Sequence, residues 1–238
     1  MTNVAIVTGG SGSIGWAACQ HLAADGWTVI NADVRPPEQS IAGCTFVELD
    51  VRSPESIRAL FDAAATRGTI GALVAAHGIL RETTVGTFDE AAVSDVIGIN
   101  LTGVARLCNA GAPRIADGGA MVLISSVTAQ MGRSHGAYAY QAAKGGVESL
   151  TRALAVALGA REVRVNCVAP GYLSVPMRGE GAEVRARLGG TEPLLAFTPY
   201  RRLVTPEEVA DLIAYLCSRR ASGVSGAVIP VDGGEGAF

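Results

Sequence analysis

The stretch VAIVTGGSGSIG, residues 4–15, runs without a charge from an apolar strand pattern into four glycines and then an apolar helix pattern. A continuous apolar run suits a strand buried on both faces, the hallmark of parallel sheets. The glycines allow a tight turn and a close approach to the backbone. A helix starting there offers free N–H groups and a positive dipole end to a phosphate. A glycine turn alone has a purely steric explanation as well. What decides between them lies further along the chain.

Apolar runs alternate with helical patterns from there to the end. WTVINAD (27–33), CTFVELDV (44–51), IGALVAAHG (70–78), AMVLISS (120–126), VRVNCVAPG (163–171) and GAVIPVDGG (226–234) read as strands two to seven. Helices are expected over Ile14 to Asp25, from the Ser53-Pro54-Glu55 cap to about Gly68, and from Tyr138 to about Gly159. A Thr87/Glu90 capping box is expected to open a helix running past Asn100, and Thr205/Glu208 to open the last one. Repeated strand–helix units build an α/β, doubly wound parallel sheet with helices on both faces. The expectation is a single domain over 1–238, with one long irregular stretch, 174–203, as a substrate-covering loop.

The chain has 238 residues, 49% hydrophobic and 17% charged, with a formal net charge of −3. No uninterrupted apolar run reaches the ~18 residues of a membrane span, and a mildly acidic chain argues against nucleic acid. The apolar surplus fits buried parallel strands and subunit surface. Five cysteines stand far apart, without metal or disulfide spacing, and are expected to be small buried hydrophobes in a reducing compartment. No metal site is expected. Nor does a basic-then-apolar leader follow Met1, so the cytoplasm is expected.

Asp33 closes strand two, 18 residues after Gly15. An acid there can accept both ribose hydroxyls of NAD and repel the extra phosphate of NADP, with nearby Arg35 able to soften that preference. Asp50, at the end of strand three, is placed to meet the adenine edge. Eighteen of the 19 cationic side chains are arginine; the single lysine is Lys144, four residues after Tyr140. On a helix these two share a face, and an ammonium beside a phenol favours the phenolate. Such a tyrosine can exchange a proton with a carbonyl or carbinol oxygen, with Ser126 bonding the same oxygen.

The set, in this order, resembles the short-chain dehydrogenase/reductase family. TGGSGSIG, NLTG (100–103), ISS followed by YQAAK, NCVAPG (166–171), RRLVTPEEVADLIAYLCS and VSGAVIPVDGG carry the resemblance from about residue 4 to 234. It implies a catalytic tetrad of Asn100, Ser126, Tyr140 and Lys144, in which Tyr140 is the acid/base and Asn100 fixes a relay water by bending its helix. It implies NAD contacts from Gly9, Ser11, Ser13, Ile14, Gly15, Asp33, Asp50, Val51, Ala76, Gly78, Tyr140, Lys144, Pro170, Gly171 and Leu173.

Ser13 replaces the middle glycine of the turn, and Ala75-Ala76-His77-Gly78 replaces an Asn-Asn-Ala-Gly run, with His77 expected to be structural. Val175 replaces a threonine, so a carboxamide contact is expected from the backbone near Leu173 or from Ser174. Residues Gln130 to Tyr138 are expected to wall the pocket. The implied activity interconverts a secondary alcohol and a ketone with NAD, in a homotetramer or dimer joined through the Tyr140 helix and the last strand. A scaffold that binds NAD without turnover, or an NAD-recycling epimerase or dehydratase, are the alternatives. Among the arginines of 174–203, a solvated mixed-charge face ranks above an acidic-substrate site.

Overall fold

The computed structural model describes residues 3–132, 137–177, 179–187 and 189–237. Seven strands form one parallel sheet in the order β3-β2-β1-β4-β5-β6-β7. They are β1 Asn3–Thr8, β2 Thr28–Asp33, β3 Cys44–Glu48, β4 Thr69–Ala75, β5 Ala120–Ile124, β6 Arg164–Pro170 and β7 Val228–Val231. The doubly wound α/β expectation is therefore met.

The apolar runs are continuous because alternate residues of each central strand face opposite cores. Val4, Ile6, Leu73, Ala75, Met121 and Leu123 join one cluster, with Phe61 from α2 (Pro54–Ala65), Leu107 from α4 (Val104–Gly111) and Val147 from α5 (Tyr138–Leu158). Ala5, Val7, Ala72, Val74, Val122 and Ile124 join the other, with Leu22 from α1 (Ser13–Ala24) and Ile213 from α8 (Pro206–Cys217). The chain leaves β1 outward to β3 and returns to β4 on β1's other side. A crevice therefore opens above the carboxyl ends of β1 and β4, where ligands of such sheets bind.

Several expectations need correction. The cap of α3 (Glu90–Ile97) is Asp89, whose side chain accepts from Ala92 N, and Thr87 instead bonds Thr84 in a turn. Past Ile97 the helix loosens into a π-turn, Gly98–Gly103, before resuming as α4. β3 stops at Glu48, so Asp50 and Val51 lie in the following turn. Residues 174–203 are not irregular: they hold α6 (Glu180–Arg187) and α7 (Glu192–Leu195). Arg178 and Leu188 of that stretch, and 133–136 of the expected pocket wall, lie outside the described residues. All five cysteines are free; four are buried and Cys44 is half-buried.

The Thr205 cap of α8 is a full capping box: Glu208 N donates to Thr205 Oγ1 at 3.3 Å and Thr205 N to Glu208 Oε2 at 2.9 Å. Arg202 grips the same carboxylate at 2.7 and 2.9 Å. Thr205→Ala is expected to cost about 1 kcal/mol of stability, read as a lower urea midpoint at unchanged slope.

Candidate active site

Two glycines fix the turn after β1. Gly9 has φ +67°, and a Cβ on it would lie 2.6 Å from the His77 backbone. A Cβ on Gly15 would lie 2.1 Å from Gly9 O. Gly12 caps α1 without a side-chain hydrogen bond, which leaves the first N–H groups of the helix pointing out of the turn. Asp33, at the end of β2, receives Ser11 N at 3.1 Å and Arg35 N at 3.2 Å. Its carboxylate is thus aimed by the backbone. Arg52 binds both oxygens of Asp50 and holds that carboxyl below its ordinary range.

One cavity of about 730 Å3 joins these groups to the far side of the sheet. Gly9, Ser11, Ser13, Ile14, Gly15, Asp33, Asp50 and Val51 line one end; Ala76, Gly78, Ser126, Tyr140, Lys144, Pro170, Gly171 and Leu173 line the other. A cradle in which a Cβ has no room, beside an aimed acid and a bare helix end, fits a dinucleotide.

The reactive end is built on β5 and α5. Ser126 follows β5 and caps a short 3-10 turn, Val127–Ala129. Thr128 N and Thr128 Oγ1 both donate to Ser126 Oγ, at 3.3 and 3.0 Å. With those acceptor positions filled, the Ser126 hydroxyl is left to donate, and it hydrogen-bonds the Tyr140 side chain. Ser125 is turned away: it reaches Lys144 O and the carboxylate of Glu148. Thr128 and Glu148 were not anticipated. Thr128 stands two residues past Ser126, and Glu148 one helical turn past Lys144, the only sequence signals they gave.

Lys144 is buried, with Nζ donating to Ile124 O at 2.7 Å and 5.5 Å from the Tyr140 ring centre. Burial lowers the lysine to about 8. The phenol, by contrast, is pushed up to about 12 by burial, with the Ser126 hydrogen bond pulling the other way. The expected lowering of the tyrosine by the lysine is not what this site shows: loss of water around the phenol raises it, and the group acting against burial is Ser126.

Asn100 sits in the π-turn, fully buried. Its side chain bonds both sides of the Ile79 backbone, accepting from Ile79 N at 2.8 Å and donating to Ile79 O at 2.7 Å. It thereby fixes the segment after β4 that carries Gly78, where a Cβ would stand 3.2 Å from Asn100 Oδ1 and 3.6 Å from Lys144 Nζ. Asn100 itself is absent from the cavity wall. His77 shares a 2.6 Å hydrogen bond with Thr8 Oγ1, and burial drives its imidazole down to about 3. A ring kept neutral in this way ties the strand end to β1 and takes up no second proton near neutrality.

The expected wall of Gln130 to Tyr138 is only partly seen. Gln130 turns to Glu148, and Tyr138 packs against the cluster around Val96; Ala137 of the expected wall does line the cavity, joined by Gln141 from outside it. Ser174 is exposed and its N–H is used by Val204 O, which leaves Leu173 on the wall. Glu235, also unanticipated, is buried behind Gly171 and accepts from Tyr172 N at 3.2 Å.

Fold and site together describe a dinucleotide-dependent oxidoreductase with a tyrosine–lysine pair at the reactive end. Residues 9–235 match the family described as Enoyl-(Acyl carrier protein) reductase. The chain is 41% identical, over 97% of its length and 95% of the relative's, to a cis-4-hydroxycyclohexanecarboxylate dehydrogenase of Sinomonas cyclohexanicum. It is 36% identical, over 97% of its length and 92% of the relative's, to the 3-oxoacyl-[acyl-carrier-protein] reductase MabA of Mycobacterium tuberculosis. The solved structure of Thermoplasma acidophilum aldohexose dehydrogenase superposes with a TM-score of 0.91 at 27% identity, over 100% of this chain and 95% of that one. The chain belongs to the short-chain dehydrogenase/reductase family and is an oxidoreductase.

Proposed function

We propose that the protein interconverts a secondary alcohol and a ketone with NAD. The observation that carries this reading is that Ser126, Tyr140 and Lys144 share one cavity with the glycine turn and Asp33. Nicotinamide, when bound, supplies the hydride acceptor or donor. Tyr140 takes the proton of the carbinol hydroxyl in oxidation and returns one to the carbonyl oxygen in reduction. Ser126 donates to that same oxygen and holds it on the tyrosine. Lys144, at about 8, is charged or neutral according to small changes around it, and can pass a proton as well as stabilise the phenolate. Asp33 would accept the ribose hydroxyls and repel a 2′-phosphate, which supports NAD over NADP.

The substrate end is apolar, with Val175, Met177, Val184 and Leu194 on its wall. That lining, together with the 41% identical relative that acts on a hydroxycyclohexane ring, favours a compact cyclic alcohol. The helical run Glu90–Gly111 has a mean hydropathy of 1.3 over its most apolar window, only a third of it buried, and Val156 on α5 is 85% exposed. The exposed Val156 and the apolar surplus of the chain support a homo-oligomer, tetramer or dimer, joined through the α5 side and the β7 edge. The spread-out free cysteines support a cytoplasmic home.

The test is NADH production from cyclic alcohols against open-chain ones, with NAD and NADP compared at equal concentration. NAD is expected to serve at least tenfold better. Absence of turnover across the panel, with tight NAD binding, would replace this reading with a scaffold.

The site also sets a pH dependence. Oxidation needs the phenolate, which grows with pH below about 12; reduction needs the phenol, which does not. Oxidation is expected to rise between pH 6 and 8 and to bend over above about 8, where Lys144 loses its charge. Reduction stays level over the lower range. Initial rates in both directions check this, and an oxidation rate falling from pH 6 to 8 contradicts it.

A further inference from the structure

We propose that Arg185 is the anion-binding residue of the substrate pocket, and that the alcohol this protein oxidises carries a carboxylate. The inference rests on the oxidoreductase reading above and adds the charge of the substrate to it.

The lid stretch holds four described arginines, and the structure separates them. Arg187 Nη1 lies 2.6 Å from Glu82 Oε2. Arg202 grips Glu208, and Arg201 is exposed to water. Arg185 alone among them is both half-buried and on the cavity wall. Its two Nη atoms donate to the carbonyls of Leu173 and Ser174, and among the described residues no carboxylate forms an ion pair with it. Burial holds it below the ordinary arginine range, with the Tyr172 phenol, not a carboxylate, acting in the opposite direction.

The placement follows from α6. Gly181, Val184 and Arg185 line the cavity, the i, i+3, i+4 face of one helix. Gly181 lets the helix close on Met177: a Cβ there would stand 2.6 Å from Met177 Cβ. Met177 in turn lies over the catalytic end, its Cε 3.7 Å from where a Gly78 Cβ would be, beside Lys144 Nζ. The face bearing Arg185 is thus carried to the same end of the cavity as the tyrosine–lysine pair.

A half-buried guanidinium without a counter-charge is costly unless something supplies one. Two carbonyls occupy only part of its five N–H donors, and the remainder suit a bidentate carboxylate. Glu235, the acid on this part of the wall, is turned to Tyr172 N behind Gly171. With Met177, Val184 and Leu194 around it, the site takes a molecule that is apolar in its body and anionic at one end.

The shared anion chemistry has a second source, the cofactor's diphosphate, and the experiment separates the two. Cyclohexanecarboxylate and cyclohexanecarboxamide, which share a ring and have no hydroxyl to oxidise, are titrated calorimetrically into the protein saturated with NAD. The acid is expected to bind about 30-fold tighter than the amide, the worth of a charged hydrogen-bonded pair. Arg185→Met brings the ratio to within threefold of unity, and Arg185→Lys falls between. Wild-type protein binding acid and amide equally overturns the proposal, and that comparison needs no variant. So does an Arg185→Met protein that keeps the acid preference but binds NAD tenfold more weakly, which would assign the guanidinium to the diphosphate. Because the probes bind without reacting, a failed alcohol panel would reject the catalytic reading while leaving this result to stand or fall by itself.

Discussion

Replacing Tyr140 by phenylalanine lowers kcat/KM for alcohol oxidation by about 10³-fold, inside the range that a positioned acid/base supplies, and leaves NAD affinity within threefold. In the proposed reaction the phenol oxygen is the group that exchanges a proton with the substrate oxygen, with Lys144, at about 8, behind it. Ser126 is held by two donors from Thr128 and keeps its own hydrogen for an oxygen partner. His77 is held neutral, with burial driving it to about 3. Neither can stand in for the phenol. The ring itself would survive, since Tyr140 packs with the cluster around Val96, Ala139 and Ala143 and phenylalanine fills the same space. Thermal unfolding should therefore shift by no more than a few degrees. Activity of Tyr140→Phe within tenfold of the parent would remove the tyrosine from the chemistry and point to a proton route through Lys144 or solvent.

How much of this was legible beforehand depended on how local the deciding force is. The strands were legible because burial on both faces writes itself as unbroken apolar runs, as in Val4–Val7 and Ala120–Ile124. The glycine turn and the Tyr140/Lys144 face follow from backbone geometry over a few residues. Short-range competition was harder. Thr87 and Asp89 are both good caps two residues apart, and only the Asp89 bond to Ala92 N decides between them. Helix α6 escaped notice because its inward face is only Gly181, Val184 and Arg185, too thin a stripe for an apolar period. Long-range pairing was not legible at all. Which lid arginine lacks an acid depends on Arg187 meeting Glu82, 105 positions away. The phenol's acidity likewise depends on how much protein surrounds it, which spacing along a helix does not report.

The same burial makes the single lysine irreplaceable. Lys144→Arg is expected to lower kcat/KM by about 10²- to 10⁴-fold and to abolish the bend near pH 8. The pocket around Nζ is narrow: Ile124 O accepts at 2.7 Å, and Gly78 stands close enough that a Cβ would sit 3.6 Å away. Ile124 O is the one hydrogen-bond acceptor that Nζ has there among the described residues. A guanidinium brings five donors in a plane, most of which would be buried without partners. It also stays protonated at every working pH, so it cannot alternate between charged and neutral as a lysine poised at about 8 can. Melting temperature should fall along with activity. Lys144→Met separates the two effects: it matches the length of the side chain, places no charge in the pocket, and should keep the fold while losing turnover to a similar degree. If Lys144→Arg instead turned over within threefold of the parent, with its pH profile intact, the role of the amine would reduce to filling space. The sequence's exclusive use of arginine elsewhere would then carry no chemical meaning.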